Sequence, residues 1–229
     1  MLQVNHLHAG YGSSIVVRDV TLESKPGEVV CLIGRNGVGK TTLMKSIMGL
    51  LKVQKGTIKV NGVEIQHWST DKRVQKGEIG YIPQGREIFP YLSVYENLIL
   101  GIHSRKESKL EEAYQLFPSL KGWISKKGGD LSGGGQQQLA IARVMLMKPK
   151  ILLFDEPTEG LQPSIVKEIE EFIINIKREK KIAVLLVEQK LEFVRKIADR
   201  FYVMEKGMIV SSGDIEEMND ELILQYLAV

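Results

Sequence analysis

The chain has 229 residues, of which 43% are hydrophobic and 26% are charged. This balance is typical of a globular protein and excludes a disordered or collagen-like chain. Lysine and arginine number 31 against 28 acidic residues, a formal charge of +3 without a basic tail or stripe, so nothing in the charge requires a nucleic-acid partner.

The single cysteine excludes an intrachain disulfide, and its place in an apolar run predicts a buried side chain, Cys31. The longest apolar run, 182–187, is about a third of the length of a membrane span. We therefore expect a cytoplasmic protein that does not cross the membrane, with a single domain over 1–229.

The N-terminal part of the chain has the pattern of an antiparallel β lobe. Residues 20–23 alternate with a period of two, and residues 57–60 precede Asn61 and Gly62, a pair that favours a tight hairpin turn.

Three apolar runs, 29–33, 151–154 and 182–187, are continuous rather than alternating. This pattern predicts strands buried on both faces, as in a parallel sheet covered by helices. Between the last two runs, residues at helical spacing follow a proline: Pro163, Val166, Ile169, Ile173 and Ile176. The sequence therefore predicts a βαβ unit there.

A mostly helical segment begins at Ser93, which is spaced from Glu96 as in a capping box. We expect an α/β fold with a mostly parallel core sheet, an N-terminal antiparallel β lobe and an inserted helical lobe. The core and β lobe would occupy about 1–84 and 148–229, and the helical lobe about 85–147.

A glycine-rich stretch, 34–41, lies between the first buried strand and a helix-compatible segment that ends at Gly49. In a phosphate-binding loop the glycines turn backbone N–H groups towards the phosphates, where the helix N-terminus adds positive potential. Lys40 would reach the β and γ phosphates and Thr41 would ligate Mg²⁺. The candidate nucleotide-binding residues are Gly34, Asn36, Gly37, Gly39, Lys40, Thr41 and Thr42. Because unrelated NTPases share this loop, it does not name the function.

Two carboxylates, Asp155 and Glu156, come at the end of the second buried strand, where open α/β sheets bind ligands. Asp155 would hold the Mg²⁺ shell, and Glu156 would orient or deprotonate the attacking water. The alternative is that the pair only caps the strand.

Ser132 and the glycines 133–135 open another helical stretch and predict a second anion site. If the two anion sites lie on different lobes, one nucleotide cannot reach both in a single chain. A second copy that supplies this site across an interface is an attractive solution.

With these motifs in order, the chain resembles the ATP-binding cassette ATPases of ABC transporters over essentially its whole length. The resemblance implies an ATPase that uses ATP and Mg²⁺. Tyr11 matches the aromatic residue that stacks on adenine, with a surface tyrosine as the alternative. Gln84 matches the glutamine that touches Mg²⁺ and the attacking water. Ser132, Gly133 and Gly134 match the signature that clamps the γ-phosphate held by the opposite subunit.

Three residues depart from the commonest pattern of this family. Gly135 replaces a glutamine or glutamate, so we expect weaker clamping. Gln162 replaces an aspartate, which puts the usual charged contact across the dimer in doubt. Gln189 replaces a histidine; its amide can donate a hydrogen bond but cannot shuttle a proton, which shifts the catalytic load to Glu156.

Residues 83–90 and Gln189 are similar to those of the second ATPase subunit of branched-chain amino acid importers. The segments 128–132 and 155–164 look closer to the corresponding subunit of bacterial urea importers. Urea is therefore the expected solute and branched-chain amino acids are the alternative. A nucleotide-switched interaction module, or a cassette ATPase without a membrane partner, also remains open.

The resemblance implies a complex at the cytoplasmic face of the membrane, with two permease subunits, two cassettes and an external solute-binding protein. The second cassette is expected to be a different chain, although a homodimer can form in isolation. Phe89, Tyr91 and Leu92 would line the groove for a permease helix or, alternatively, would pack in the core of the helical lobe.

Overall fold

The computed structural model describes residues 1–100, 107–180 and 182–219. Its strands are β1 (Leu2–Tyr11), β2 (Ser14–Ser24), β3 (Val29–Ile33), β4 (Val53–Val60), β5 (Val63–Glu64), β6 (Ile79–Ile82), β7 (Ile151–Asp155), β8 (Ala183–Val187), β9 (Arg200–Glu205) and β10 (Met208–Asp214). Its helices are α1 (Lys40–Met48), α2 (Thr70–Gln75), α3 (Val94–Ile99), α4 (Glu107–Leu116), α5 (Ser119–Gly122), α6 (Gly133–Met145), α7 (Pro163–Lys180) and α8 (Leu191–Ile197). No helix among the described residues is long and apolar enough to cross a membrane.

The core sheet has six strands in the order β10-β9-β3-β8-β7-β6, all parallel except β10. Every residue of β3, β7 and β8 is buried, as the continuous apolar runs predict, and helices cover the sheet. Val187 pairs with both Leu32 and Asp155. The carboxyl ends of β3, β7 and β8 therefore meet at one edge, which positions the loops that follow them.

The second sheet is the antiparallel lobe, with the order β2-β1-β4-β5. Asn61 and Gly62 join β4 to β5 with φ of 50° and 83°, the left-handed pair that a type I′ hairpin turn needs. The predicted β lobe and its hairpin are confirmed. The central strand of this lobe is β1, which pairs with both β2 and β4.

Helices α3 to α6 lie within the segment expected to form the helical lobe, of which residues 101–106 are outside the described part of the chain. The predicted capping box is present at α3: Glu96 N–H donates to Ser93 Oγ at 3.1 Å, and Ser93 N–H donates to Glu96 Oε2 at 2.7 Å. Phe117 of this segment packs against Phe172 of α7, with 5.7 Å between ring centroids. One apolar core thus joins these helices to the parallel sheet.

Candidate functional site

The glycine-rich stretch is the loop between β3 and α1, and the local backbone explains its glycines. Gly37 has φ of 79°, and Gly39, the N-cap of α1, has φ of 112°, values that residues with a Cβ adopt only under strain. Gly39 also faces Val16 and Met204, since a Cβ on it would lie 3.2 Å from a carbon of each. The loop can therefore wrap closely around the N-terminus of α1.

Lys40 lies inside this loop rather than in solvent. Its side chain is buried, and Nζ donates to the carbonyl oxygens of Gly34 at 2.7 Å and Arg35 at 2.8 Å. Burial lowers the pKa of Lys40, an effect that the nearby carboxylates of Glu156 and Asp155 oppose. The ammonium group is thus held at the centre of the loop, where it can reach an anion.

Asp155 ends β7 and is almost fully buried. Its Oδ2 accepts a hydrogen bond from the Tyr81 hydroxyl at 3.4 Å, whereas Oδ1 has no hydrogen-bond partner among the described residues. Burial raises the pKa of Asp155, and a hydrogen bond with Thr41 acts in the opposite direction. An unpartnered carboxylate oxygen next to a threonine hydroxyl is the hard oxygen donor set that fits Mg²⁺.

Glu156 follows directly and has φ of 49°, a conformation that is strained for a residue with a side chain. Gln189 Nε2 donates to its Oε1 at 2.6 Å, and Gln84 Nε2 donates to its Oε2 at 3.1 Å. The two amides therefore fix both oxygens of one carboxylate. Gln189 also donates to Asn36 Oδ1 at 2.8 Å, which ties this carboxylate to the phosphate loop.

These groups surround one cleft of about 350 Å³. It is lined by Val16, Asn36, Gly37, Gly39, Lys40, Thr41, Thr42, Gln84, Glu156 and Glu159. Most of the candidate nucleotide-binding and catalytic residues are therefore brought together. Tyr11 is half-exposed at the end of β1 and is not part of this lining, so its stacking on adenine stays a prediction.

Ser132 is the N-cap of α6, and its Oγ accepts a hydrogen bond from Gly135 N–H at 3.2 Å. Gly133 and Gly134 begin the helix, and none of these residues lines the cleft. The structure therefore places the second predicted anion site on a different part of the chain from the first.

Each of the three glycines packs against a different neighbour. A Cβ on Gly133 would lie 3.4 Å from both terminal nitrogens of Arg86, and one on Gly134 would lie 2.8 Å from Ile165. A Cβ on Gly135 would lie 3.1 Å from the Trp123 ring. The ring of Trp123 therefore lies beside the position where the commoner glutamine or glutamate would carry its side chain.

Glu159 also belongs to the site, although no sequence motif predicts a role for it; its Oε2 accepts a hydrogen bond from Gln84 Nε2 at 2.7 Å. Glu188 was not predicted either; it is buried and accepts hydrogen bonds from the Thr158 hydroxyl at 3.0 Å and from Gln189 N–H at 3.0 Å. Glu188 therefore joins the loop after β7 to the loop after β8. A charged residue directly after a fully apolar strand was the signal that could have found it.

Arg73 is a third residue without a sequence signal. It is 2% exposed, and its guanidinium donates to the carbonyl oxygens of Ser46, Ile47, Gln66 and Trp68. Burial lowers the pKa of Arg73 to about 10. Two of these acceptors belong to the last turn of α1, so Arg73 caps the helix that begins at the phosphate loop.

Two further surfaces lie outside the cleft. A larger cavity of about 810 Å³ lies between α4, the end of α6 and α7, and none of the candidate site residues lines it. Phe89 and Tyr91 are 48% and 87% exposed, so the alternative that they pack in the core of the helical lobe is wrong for these two.

Comparisons of this chain with a family model, with relatives in sequence and with solved structures agree with one another. A family model described as ABC transporter matches residues 17–159. The high-affinity branched-chain amino acid transport ATP-binding protein BraG of Pseudomonas aeruginosa is 40% identical, over 92% of this chain and 91% of the relative. The probable branched-chain amino acid transport ATP-binding protein LivF of Archaeoglobus fulgidus is 34% identical, over 95% of this chain and 94% of the relative.

Among solved structures, a nucleotide-free ATP-binding cassette from an ABC transporter matches with a TM-score of 0.84 and 26% identity. The match covers 100% of this chain and 95% of that one. The fold expected from the sequence, an α/β cassette with a mostly parallel core sheet and an antiparallel β lobe, is confirmed.

Proposed function

Because the chain belongs to the ABC transporter family, we propose that it powers an importer of branched-chain amino acids. It is an ATP-binding subunit of a transporter, and such subunits hydrolyse ATP to drive transport. The observation that best supports the site assignment is the carboxylate of Glu156, held by two amides at the edge of the phosphate-loop cleft.

In this proposal, the residues of the cleft divide the work of hydrolysis. The amides of the loop and Lys40 bind the β and γ phosphates of ATP, where the positive charges stabilise the charge that develops on the transferred phosphoryl group. Glu156 accepts a proton from the attacking water or orients it, and Gln84 and Gln189 keep its carboxylate in place. Tyr11 stacks on the adenine ring.

Thr41, Asp155 and Gln84 would hold Mg²⁺, and their oxygen atoms fit that ion. When bound, the ion would neutralise charge on the phosphates. Asp155 and Thr41 are held near one another by the sheet edge and by the first turn of α1, so this part of the site is built before any ligand arrives.

The nucleotide would be enclosed between two cassettes. Ser132, Gly133 and Gly134 do not line the cleft of their own chain. Ser132 is exposed and Gly133 is half-buried, so the start of α6 is open to a phosphate on another molecule. The second cassette is a related chain in the natural complex, or a second copy in isolation. Each chain then contributes half of each ATP site.

Branched-chain amino acids are the solute that the relatives support, rather than urea. BraG and LivF carry branched-chain amino acid transport in their names, and a third relative, from Escherichia coli, is named for glutamate/aspartate import, at 34% identity over 96% of the chain. The solute passes through the membrane by way of other subunits, so no residue of this chain contacts it directly. The partners are permease subunits at the cytoplasmic face of the membrane and an external solute-binding protein.

The solute assignment is tested by reconstituting the transporter in lipid vesicles and measuring ATP hydrolysis with its solute-binding protein. We expect stimulation when the binding protein is loaded with leucine and none when it is offered urea. The same complex with Glu156→Gln is the control, which should show no hydrolysis with either solute. Stimulation by urea alone would overturn the assignment.

A further inference from the structure

We propose that Arg86 adds its positive charge to the anion-binding start of α6 and thereby assists hydrolysis of ATP held by the neighbouring cassette. The inference rests on the proposed function, in which residues 132–134 of one chain meet the nucleotide bound by another. It adds a residue to that site, and it gives the loop after β6 a role in two ATP sites at once.

The first observation is the position of the Arg86 guanidinium. It lies flat against Gly133, the first residue of α6, since a Cβ there would be 3.4 Å from Nη1, 3.4 Å from Nη2 and 3.6 Å from Cζ. These are ordinary van der Waals distances, so the guanidinium is in direct contact range of the first residue of α6. A cation therefore lies directly beside the helix N-terminus.

The second observation concerns the charge at the start of α6, where Arg86 and the helix N-terminus lie together. A helix N-terminus carries a partial positive charge, so a cation beside it is repelled. No acidic residue lies in the first turn of α6 to offset that charge. In addition, Nε of Arg86 is buried without a hydrogen-bond partner among residues 1–100, 107–180 and 182–219. An anion at the start of α6 would relieve the repulsion, as a phosphate group does at other helix N-termini.

The third observation is that the loop carrying Arg86 is fastened to the same helix. Arg86 and Glu87 have φ of 62° and 47°, two consecutive strained residues that the surroundings must hold in place. Arg143 of α6 donates from Nη2 to the Glu87 carbonyl oxygen at 2.7 Å, and its guanidinium lies 5.3 Å from the Phe89 ring centroid. The position of Arg86 is therefore set by α6 itself.

The loop thus serves two sites. Gln84 donates to Glu156 in the cleft of its own chain, whereas Arg86, two residues later, lies at the start of α6, away from that cleft. A shift of Gln84 towards nucleotide in one site would move Arg86 relative to the other. The ligand class for Arg86 is the terminal phosphate of a nucleoside triphosphate bound by a second cassette.

A mixing experiment separates action on the neighbouring site from action on the chain's own site. Arg86→Met and Lys40→Ala are purified separately, and ATP hydrolysis is measured for each alone and for the 1:1 mixture. The concentrations are those at which wild-type activity per chain has levelled off. We expect each variant alone to lose at least about tenfold in kcat, because one charge-assisted contact to phosphate contributes that much.

In the mixture, half of the dimers contain one chain of each kind. In such a dimer the Arg86→Met chain supplies an intact cleft, and the Lys40→Ala chain supplies an intact Arg86 and α6. We expect the mixture to recover about a quarter of wild-type activity, since random pairing leaves one intact site in half of the two-site dimers. No recovery would mean that Arg86 acts on its own cleft, which would overturn the proposal.

A control pair distinguishes failure of this inference from failure of the proposed function. Ser132→Arg mixed with Lys40→Ala should recover activity to the same extent, because Ser132 is part of the signature. If this control pair fails as well, the composite site itself is wrong. If only the Arg86 mixture fails, the composite site stands and the role of Arg86 does not.

Charge is separated from packing by two further measurements. Arg86→Lys keeps a cation and should retain most activity, whereas Arg86→Met keeps an apolar stem and should not. The urea concentration at which half of Arg86→Met is unfolded should match that of the wild type. The affinity of the dissociated Arg86→Met monomer for ATP should also match. Arg178→Met removes an exposed arginine from α7 and should change none of these quantities. Equal loss in the lysine and methionine variants would refute the role of the charge.

Discussion

The hydrogen bond from Gln189 to the Glu156 carboxylate is the contact in the site whose loss should change kcat most specifically. Gln189 Nε2 lies 2.6 Å from Glu156 Oε1, and a hydrogen bond to a charged group contributes about 1.5–3 kcal/mol. If this bond serves to orient the carboxylate in the transition state, Gln189→Ala should lower kcat by about 10- to 150-fold, since 1.36 kcal/mol corresponds to a factor of ten. KM for ATP should change little, because the phosphate loop is intact.

The assay is steady-state ATP hydrolysis by the purified chain across a range of ATP concentrations. Gln75→Ala, at an exposed position near the end of α2, is the matched control and should leave both kcat and KM unchanged. A kcat of Gln189→Ala within about twofold of the wild type would refute the reasoning, because Glu156 would then be positioned without this amide. A large rise in KM with normal kcat would instead place Gln189 in ATP binding.

Three other changes test separate parts of the structure. Arg73→Met removes the donors to four buried carbonyl oxygens and should lower the free energy of unfolding in urea by about 3 kcal/mol or more, whereas Arg178→Met should lower it by less than about 0.5 kcal/mol. Gly135→Gln brings a side chain against the Trp123 ring and should lower the free energy of unfolding by about 1–3 kcal/mol. Adding Trp123→Ala in the same chain should reduce that loss. If Gly135→Gln is as stable as the wild type, this packing is contradicted. Glu156→Gln should abolish hydrolysis while the affinity for ATP, measured by calorimetry, is retained, and normal turnover would exclude Glu156 as the base.

The sequence predicts the core sheet well because a strand that is buried on both faces requires a continuous run of apolar residues. The runs 29–33, 151–154 and 182–187 contain almost no polar residue and correspond closely to β3, β7 and β8. The motifs around Lys40 and Asp155 lie at the ends of these strands, so the topology alone brings them together. A hairpin signal of two residues, Asn61 and Gly62, was sufficient for the turn of the β lobe.

Long-range contacts explain most of what the sequence did not predict. Arg73 caps a helix that ends 25 residues earlier in the chain. A pattern in neighbouring residues cannot predict a contact over that separation. The amide of Gln189 donates to Asn36 and Glu156, which lie 153 and 33 residues away in the chain. The space beside Gly135 is taken by Trp123, a pairing between the segment after α5 and the start of α6 that depends on tertiary packing.

The dependence of ATP hydrolysis on protein concentration tests the composite site most directly. The phosphate loop and Glu156 line one cleft, while Ser132, Gly133 and Gly134 lie outside it, and the proposed function has each chain supply half of each site. We expect the activity per chain to rise with concentration and level off as dimers form, with Glu156→Gln accumulating an ATP-dependent dimer in sedimentation. Activity per chain that is constant from the dilute monomer upwards would contradict the composite site.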